Sequence, residues 1–556
     1  MNDIRRTILW VIFGFSLVLL WDQWQIHNGH KATFFPKPEP KVEASAAGVP
    51  APVAAAALTT QPPTGNSATA VQEAPRQSVD VQTDVLKLRL DSEGGSVIRA
   101  EFLRHHEEHK PGQNVVLLDE SNERIYQAQS GLIGAAGVNW PTHKTRMSLR
   151  PGARELKDGE NTLEVVFESP VQDGVQLVKT YTLRRGAYDI AVRHDIVNKG
   201  VQPIQPQLYV QLVRDGNKPA GESSFYSTFT GPAVFTETQK YQKVEFEKIK
   251  KKSAEYEKSA TSGYVAMVQH YFASAWLLPE GMKRDIALDA VDIGARLPDC
   301  CYRATMVAPQ AALEPGKTHS VTATLYVGPQ EEKKLEALYP GLELVKDYGW
   351  LTILAKPLFW LLDKLYAALG NWGWAIVMLV VLLKAAFYWL NAQAYRSMAK
   401  MKAINPRIME MRERLKDKPQ QMQMEMMKIY REEKVNPMGG CLPIVVQIPV
   451  FIALYWVLLS TVEIRNAPWL GWVHDLAAPD PYFILPLLMT GTTLLQTWLN
   501  PTPPDPMQAK LMWIMPLAFS VMFFFFPAGL VLYWLTNNIL SIAQQWMINK
   551  QLGVLR

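Results

Sequence analysis

Trp374-Ala375-Ile376-Val377-Met378-Leu379-Val380-Val381-Leu382-Leu383-Lys384-Ala385-Ala386-Phe387 is an unbroken apolar run except for one charge. Such a run reads as a helix crossing a bilayer, here extending from Trp372 to Asn391. Four similar runs follow, at Cys441 to Ser460, Tyr482 to Leu499, Leu511 to Phe526 and Ala528 to Met547. Leu511 to Phe526 is short and would need local thinning of the bilayer. Pro527 alone separates it from the last run, so those two form a tight helical hairpin. A further span is expected at the N-terminus, where Arg5 and Arg6 precede the apolar stretch Thr7 to Trp21. It is either a cleaved signal peptide or an anchor, and the lack of a small-x-small triplet close behind favours an anchor over residues 1–26.

Charge sets the expected orientation. The loop from Ala392 to Gly440 carries eleven lysines and arginines, whereas that from Thr461 to Pro481 carries only Arg465. The positive-inside rule places the first loop in the cytoplasm and the second outside. Six spans then leave both termini cytoplasmic and residues 27–340 mostly external.

The chain of 556 residues is long enough for several units, and its net charge of +5 hides this division. Residues 27–78 include a Pro/Ala-rich tract with few bulky apolar side chains, which reads as a disordered linker. From 79 to 340 the pattern has period two, as in Val85-Leu86-Lys87-Leu88-Arg89-Leu90, with Gly94-Gly95 turning into Ser96 to Leu103. Asn161 to Phe167, Val175 to Leu183, Tyr188 to Val197 and Gln207 to Val213 repeat it. Half-buried antiparallel strands produce this alternation, and their number predicts a large β-sandwich. Residues 341–370 place Leu342, Leu344, Val345, Tyr348, Leu351 and Leu354 opposite Glu343, Lys346 and Asp347, the pattern of a helix lying in the membrane interface. The core of five spans occupies 371–550, with a helical hairpin at 392–440, and 551–556 is a short tail.

Several chemistries find little support. Three cysteines exclude a disulfide-stapled scaffold, and adjacent Cys300 and Cys301 are either a strained vicinal disulfide or two buried thiols. His105-His106-Glu107-Glu108-His109 has an inverted zinc-protease spacing, but it follows a strand and runs into Lys110-Pro111-Gly112, as a charged surface turn would. Lys248 to Lys252 is basic yet flanked by glutamates, so no specific nucleic-acid sequence is an expected partner. There is no phosphate-binding glycine loop and no credible nucleophile–base pair, and neither cofactor nor metal is expected.

Lys384 is the informative residue. A charge at that depth costs a few kcal/mol, about 2.5–3.5 on insertion scales. Either it snorkels to the headgroups, or it faces a hydrated groove among the helices. Polar residues in other spans support the groove: Gln447; Thr490, Thr492, Thr493 and Gln496; Ser520; and Thr536, Asn537, Asn538, Ser541, Gln544 and Gln545. Asn537, Ser541 and Gln544 share one helical face. Such stripes also serve simply as interhelical glue. In the 392–440 hairpin, Met398, Met401, Ile404, Ile408, Met411 and Leu415 continue through Met422, Met426, Met427 and Tyr430. That pliable apolar face either meets partners or packs the hairpin on itself.

Asn436-Pro437-Met438-Gly439-Gly440-Cys441-Leu442-Pro443, Gln447-Ile448-Pro449-Val450-Phe451, and Phe526-Pro527-Ala528-Gly529-Leu530-Val531-Leu532-Tyr533-Trp534 resemble signatures of the YidC family of membrane-protein insertases. Asp505 to Gln508 and Ser397 to Met401 are similar to its cytoplasmic segments. The resemblance implies a Gram-negative inner-membrane insertase and chaperone with a periplasmic β-supersandwich and a groove open to cytoplasm and lipid. It implies groove residues Lys384, Gln447, Asn537, Ser541 and Trp534, and a hydrophobic slide of Phe451, Met489 and Phe523. Implied partners are nascent membrane proteins, membrane lipids and the Sec translocon, with the ribosome and signal recognition particle receptor meeting the 392–440 hairpin. Two departures stand out: Lys384 replaces the family's usual arginine, and Val380 replaces a groove threonine. The competing class is a secondary transporter that uses Lys384 in a polar cavity, although no internal repeat supports it.

Overall fold

Alternating strands need two sheets to bury both sets of inward side chains, and the computed structural model has two, each of nine strands. It describes residues 75–107, 112–219, 228–292, 297, 300–415, 418–433, 442–500, 506–551 and 553. The expected N-terminal anchor and nearly all of the linker lie outside these residues, as do Glu108, His109 and the 436–441 part of the signature.

One sheet runs from Ser78–Gln82 through Leu86–Asp91, Val97–His106, Asn114–Glu120, Ile125–Ile133, Gln207–Arg214, Tyr302–Pro309 and Arg284–Ala290 to Ser259–Ala260. The other runs from Lys240–Lys243 through Gly231–Thr236, Tyr264–Gln269, Phe272–Leu277, Thr318–Pro329, Asp189–Asn198, Val175–Arg184 and Thr162–Glu168 to Ser148–Leu149. Every named pairing is antiparallel. The predicted strands recur within one residue at each end, except that the one expected to end at Leu103 runs on to His106. Gly94 shows why the first turn needs glycine: its φ is +69°, and a Cβ there would lie 2.3 Å from the His143 carbonyl oxygen. Cys300 and Cys301 lie side by side just before the Tyr302–Pro309 strand, with Cys301 buried.

Inward parity also carries polar groups into the sandwich. Lys179 is fully buried, and its Nζ donates to the carbonyls of Gly94 (2.6 Å) and Ser130 (2.7 Å). Burial pushes its ammonium down from 10.5 to about 7.

The helices are α1 (Phe246–Lys250), α2 (Glu332–Leu338), α3 (Thr352–Leu369), α4 (Trp372–Ala386), α5 (Tyr388–Arg414), α6 (Pro419–Glu432), α7 (Leu442–Ser460), α8 (Ile484–Leu499), α9 (Pro506–Met522) and α10 (Ala528–Gln551). Two differences from the expected pattern matter. The run expected as one helix to Asn391 bends by 69° between α4 and α5. Phe387 leaves the helix there, and Gln544 donates to the Tyr388 carbonyl at 3.1 Å, so a distant side chain supports the break. Residues 341–370 are not one interfacial helix: Leu342, Val345 and Tyr348 are buried in short turns beneath the β domain, and only α3 is helical throughout. Among the described residues, no single helix is long and apolar enough to cross a membrane alone, although α4 and α5 together pass by length and composition.

The α5–α6 hairpin packs on itself. Ile404, Ile408, Met411 and Ile429 form its core, flanked by Met401, Leu415, Met422, Met426 and Tyr430. Arg407 pairs with Glu432 and Glu433, and Arg414 with Glu425.

The β domain and helices share a built joint. Lys346 meets Glu463 at 3.4 Å and lies 3.7 Å from the Phe359 ring centroid. His270 Nε2 is 2.8 Å from the Leu459 carbonyl at the end of α7, and Arg465 covers the rings of Tyr271 and Phe272.

Candidate functional site

α10 is the spine of the site. Its first turn is fixed from outside: Ala528 N donates to Ala478 O (2.7 Å), and Gly529 N to Leu476 O (2.8 Å). A Cβ on Gly529 would lie 3.1 Å from that second carbonyl, so the close approach suits glycine. Two turns on, Asn537, Ser541 and Gln544 face α4, α5 and α7, as their spacing requires.

Lys384 Nζ donates to Ser541 Oγ at 2.7 Å, and that hydroxyl donates to the Asn537 carbonyl at 2.7 Å. Gln447 Nε2 donates to Asn537 Oδ1 at 3.3 Å. Tyr395 of α5 also reaches Ser541. Four of the five residues expected in a polar groove (Lys384, Gln447, Asn537 and Ser541) are therefore one connected network across three helices. Val380, Leu383, Phe387, Val450 and Tyr533 line a small cleft together with Lys384, Gln447 and Asn537, with room for roughly one water molecule.

No carboxylate is among the residues lining this cleft. An ammonium has three donors and Ser541 occupies one, so the site offers positive charge to an acidic group. In an apolar surround, that attraction is stronger than in bulk water.

Trp534 belongs with the rings rather than the polar network. It stacks on Phe451 with centroids 5.3 Å apart and lies 4.6 Å from Phe523 and 5.7 Å from Phe526. Phe451 and Phe523 thus share one aromatic patch. Met489 is elsewhere: it is buried between α8 and α10, with its sulfur 3.5 Å from Asn538 Nδ2. The Asn391 amide nitrogen is buried at the bend with no hydrogen-bond partner among the described residues. Tyr395 was not singled out from the sequence because it lies past the apolar run, whereas Asn391, the polar last residue of that run, was an available signal.

Comparison with known proteins supplies the family. Residues 78–361 match the family model for the YidC periplasmic domain, and residues 364–553 match that of the 60Kd inner membrane protein. The chain is 54% identical over 565 residues to a membrane protein insertase YidC of Cupriavidus taiwanensis, covering 99% of this chain and 98% of that protein. It is 53% identical over 558 residues to that of Ralstonia nicotianae, again covering 99% and 98%. A crystal structure of an active YidC insertase aligns over 85% of this chain and 92% of its own, at 18% identity and a TM-score of 0.37. That overlap is too low to add weight, so the assignment rests on sequence. A β-sandwich domain followed by apolar helices, with both family models matched in order over nearly the whole chain, shows that the protein belongs to the YidC family of membrane protein insertases.

Proposed function

We propose that this chain inserts and helps fold inner-membrane proteins, alone or with the Sec translocon, through the cleft around Lys384. The observation that carries the reading is the Lys384–Ser541–Asn537–Gln447 network, a cation in an apolar bundle with no carboxylate beside it. Isolated charges in such surroundings are expensive, so the energy spent here suits a transient anionic guest. The polar tail of a substrate pairs briefly with Lys384, shortening the apolar barrier. The following apolar segment leaves along the Phe451, Trp534 and Phe523 rings. No covalent bond changes; burial of the substrate's own apolar surface supplies the drive.

In this reading α4, α7, α8, α9 and α10 are spans, joined by an N-terminal sixth, with both termini in the cytoplasm and the β domain in the periplasm. The basic outer face of the 392–440 hairpin then meets anionic lipid, the ribosome or the signal recognition particle receptor. Self-packing of its methionine face supports charge, rather than an open apolar groove, as the docking principle.

Site-specific photocrosslinking tests the path. Probes at Phe451 and Trp534 are expected to capture a stalled nascent membrane protein. Capture that is equally strong from Phe519, on the exposed face of α9, would count against the cleft as the route.

A further inference from the structure

α10 has a second polar face. Asn538 and Gln545 stand two turns apart, about 100° around the helix from Asn537 and Gln544. Asn538 Nδ2 donates to Thr493 Oγ1 at 3.0 Å, and Gln545 Nε2 donates to Asn500 Oδ1 at 3.0 Å. Both pairs join residues 45 apart, so parallel helices α8 and α10 are held in one register at two levels. The partners are themselves fixed. Thr493 Oγ1 donates to the Met489 carbonyl at 2.8 Å, and the Asn500 backbone closes α8 through Gln496 and Thr497. At its outer end, α8 is held by Asp480, whose carboxylate accepts from Leu485 N at 2.7 Å.

The juxtaposition of Asn537 with Asn538, and of Gln544 with Gln545, ties the two faces together. Turning α10 enough to move Asn537 and Ser541 away from Gln447 and Lys384 would also pull Asn538 and Gln545 off α8. We propose that the Asn538–Thr493 and Gln545–Asn500 pairs lock the rotation of α10, and so hold Asn537 in the cleft and Ser541 on the Lys384 ammonium. These are positioning residues; none lines the cleft. The same seam ties the α8–α9 pair to the bundle. α9 has α8 and the Phe523–Phe525 turn as its main neighbours, and exposes Trp513, Ile514, Leu517 and Val521. This inference rests on the cleft being the working site.

The test uses the full chain in membranes, with insertion of a short acidic-tailed substrate normalised to folded protein. Maleimide labelling of Val450→Cys in a Cys300→Ser, Cys301→Ser, Cys441→Ser background reports the width of the cleft. Thr493→Val and Asn538→Leu are each expected to lower insertion and speed labelling about threefold, the size of one interhelical hydrogen bond. The double variant should be no worse than the worse single, and Thr493→Ser, which keeps the hydroxyl, should behave as the native chain. Native insertion or native labelling in Thr493→Val and Asn538→Leu would overturn the lock, as would Thr493→Ser failing as badly as Thr493→Val. Lys384→Glu, run in parallel, separates the two ideas. If it is defective while Thr493→Val is native, only the lock fails; if it inserts normally, the cleft reading itself fails.

Discussion

Two lysines show how burial assigns work to a charge. Lys384 is half-buried, donates to Ser541 and faces no carboxylate among the residues lining its cleft. Lys179 is fully enclosed and spends its donors on the carbonyls of Gly94 and Ser130. Its folded pKa of about 7 lies below the unfolded value of 10.5. Between those limits the unfolded chain binds the extra proton, so this group makes stability rise with pH from 7 towards 10.5 and contributes no slope below 7. Thermal melts of the full chain in detergent should therefore show a higher midpoint at pH 9.5 than at pH 7. Lys179→Met should flatten that rise and, by leaving two carbonyls unpaired, cost about 1–3 kcal/mol for each. An unchanged slope in the variant would assign the rise to other groups. The inward place of Lys179 was legible, because it shares parity with Val175, Leu177, Tyr181 and Leu183. Its two acceptors were not, since they come from a strand 49 residues away and a turn 85 residues away.

At the scale of elements, local pattern and distant contact divide cleanly. The strands from Thr162 to Asn198 fall where period-two alternation puts them, because one face of each meets the other sheet. The break at Phe387 could not be read the same way. The apolar run continues through it, and the supporting contact from Gln544 to Tyr388 spans 156 residues. Residues 341–370 mislead for a related reason: an amphipathic pattern does not say whether its apolar face meets lipid or a β domain. The start of α8 illustrates a local cause. Asp480 accepts from Tyr482 N and Leu485 N, satisfying two amides at the head of the helix. Asp480→Ala is expected to cost about 1 kcal/mol and to lower the melting midpoint by a few degrees, with Asp480→Asn close to native. Equal midpoints for Asp480→Ala and the native chain would show that the surrounding packing, rather than the cap, holds this end.

Across the whole molecule, one apolar core runs from the sandwich through Leu342, Val345 and Tyr348 into the helices, so the joint is packed as well as hydrogen-bonded. His270 at the end of α7, Lys346 on Glu463 and Arg465 on two aromatic rings brace the end of the bundle next to the β domain, while the Lys384 cleft lies among α4, α7 and α10. The polar residues of the cleft were legible as a lysine and a stripe of amides and hydroxyls in otherwise apolar runs. Which of them touch was not, because a stripe gives a face and not its partner; Met489 and Trp534 show the difference. The central claim is that the charge of Lys384, and not merely its bulk, admits acidic tails. Insertion of a short membrane protein with an acidic translocated tail, compared with a neutral-tailed version in cells depleted of their own insertase, tests it most directly. Lys384→Arg should insert both; Lys384→Glu should lose the acidic-tailed substrate several-fold more than the neutral one, and normal insertion of both by Lys384→Glu would contradict the account.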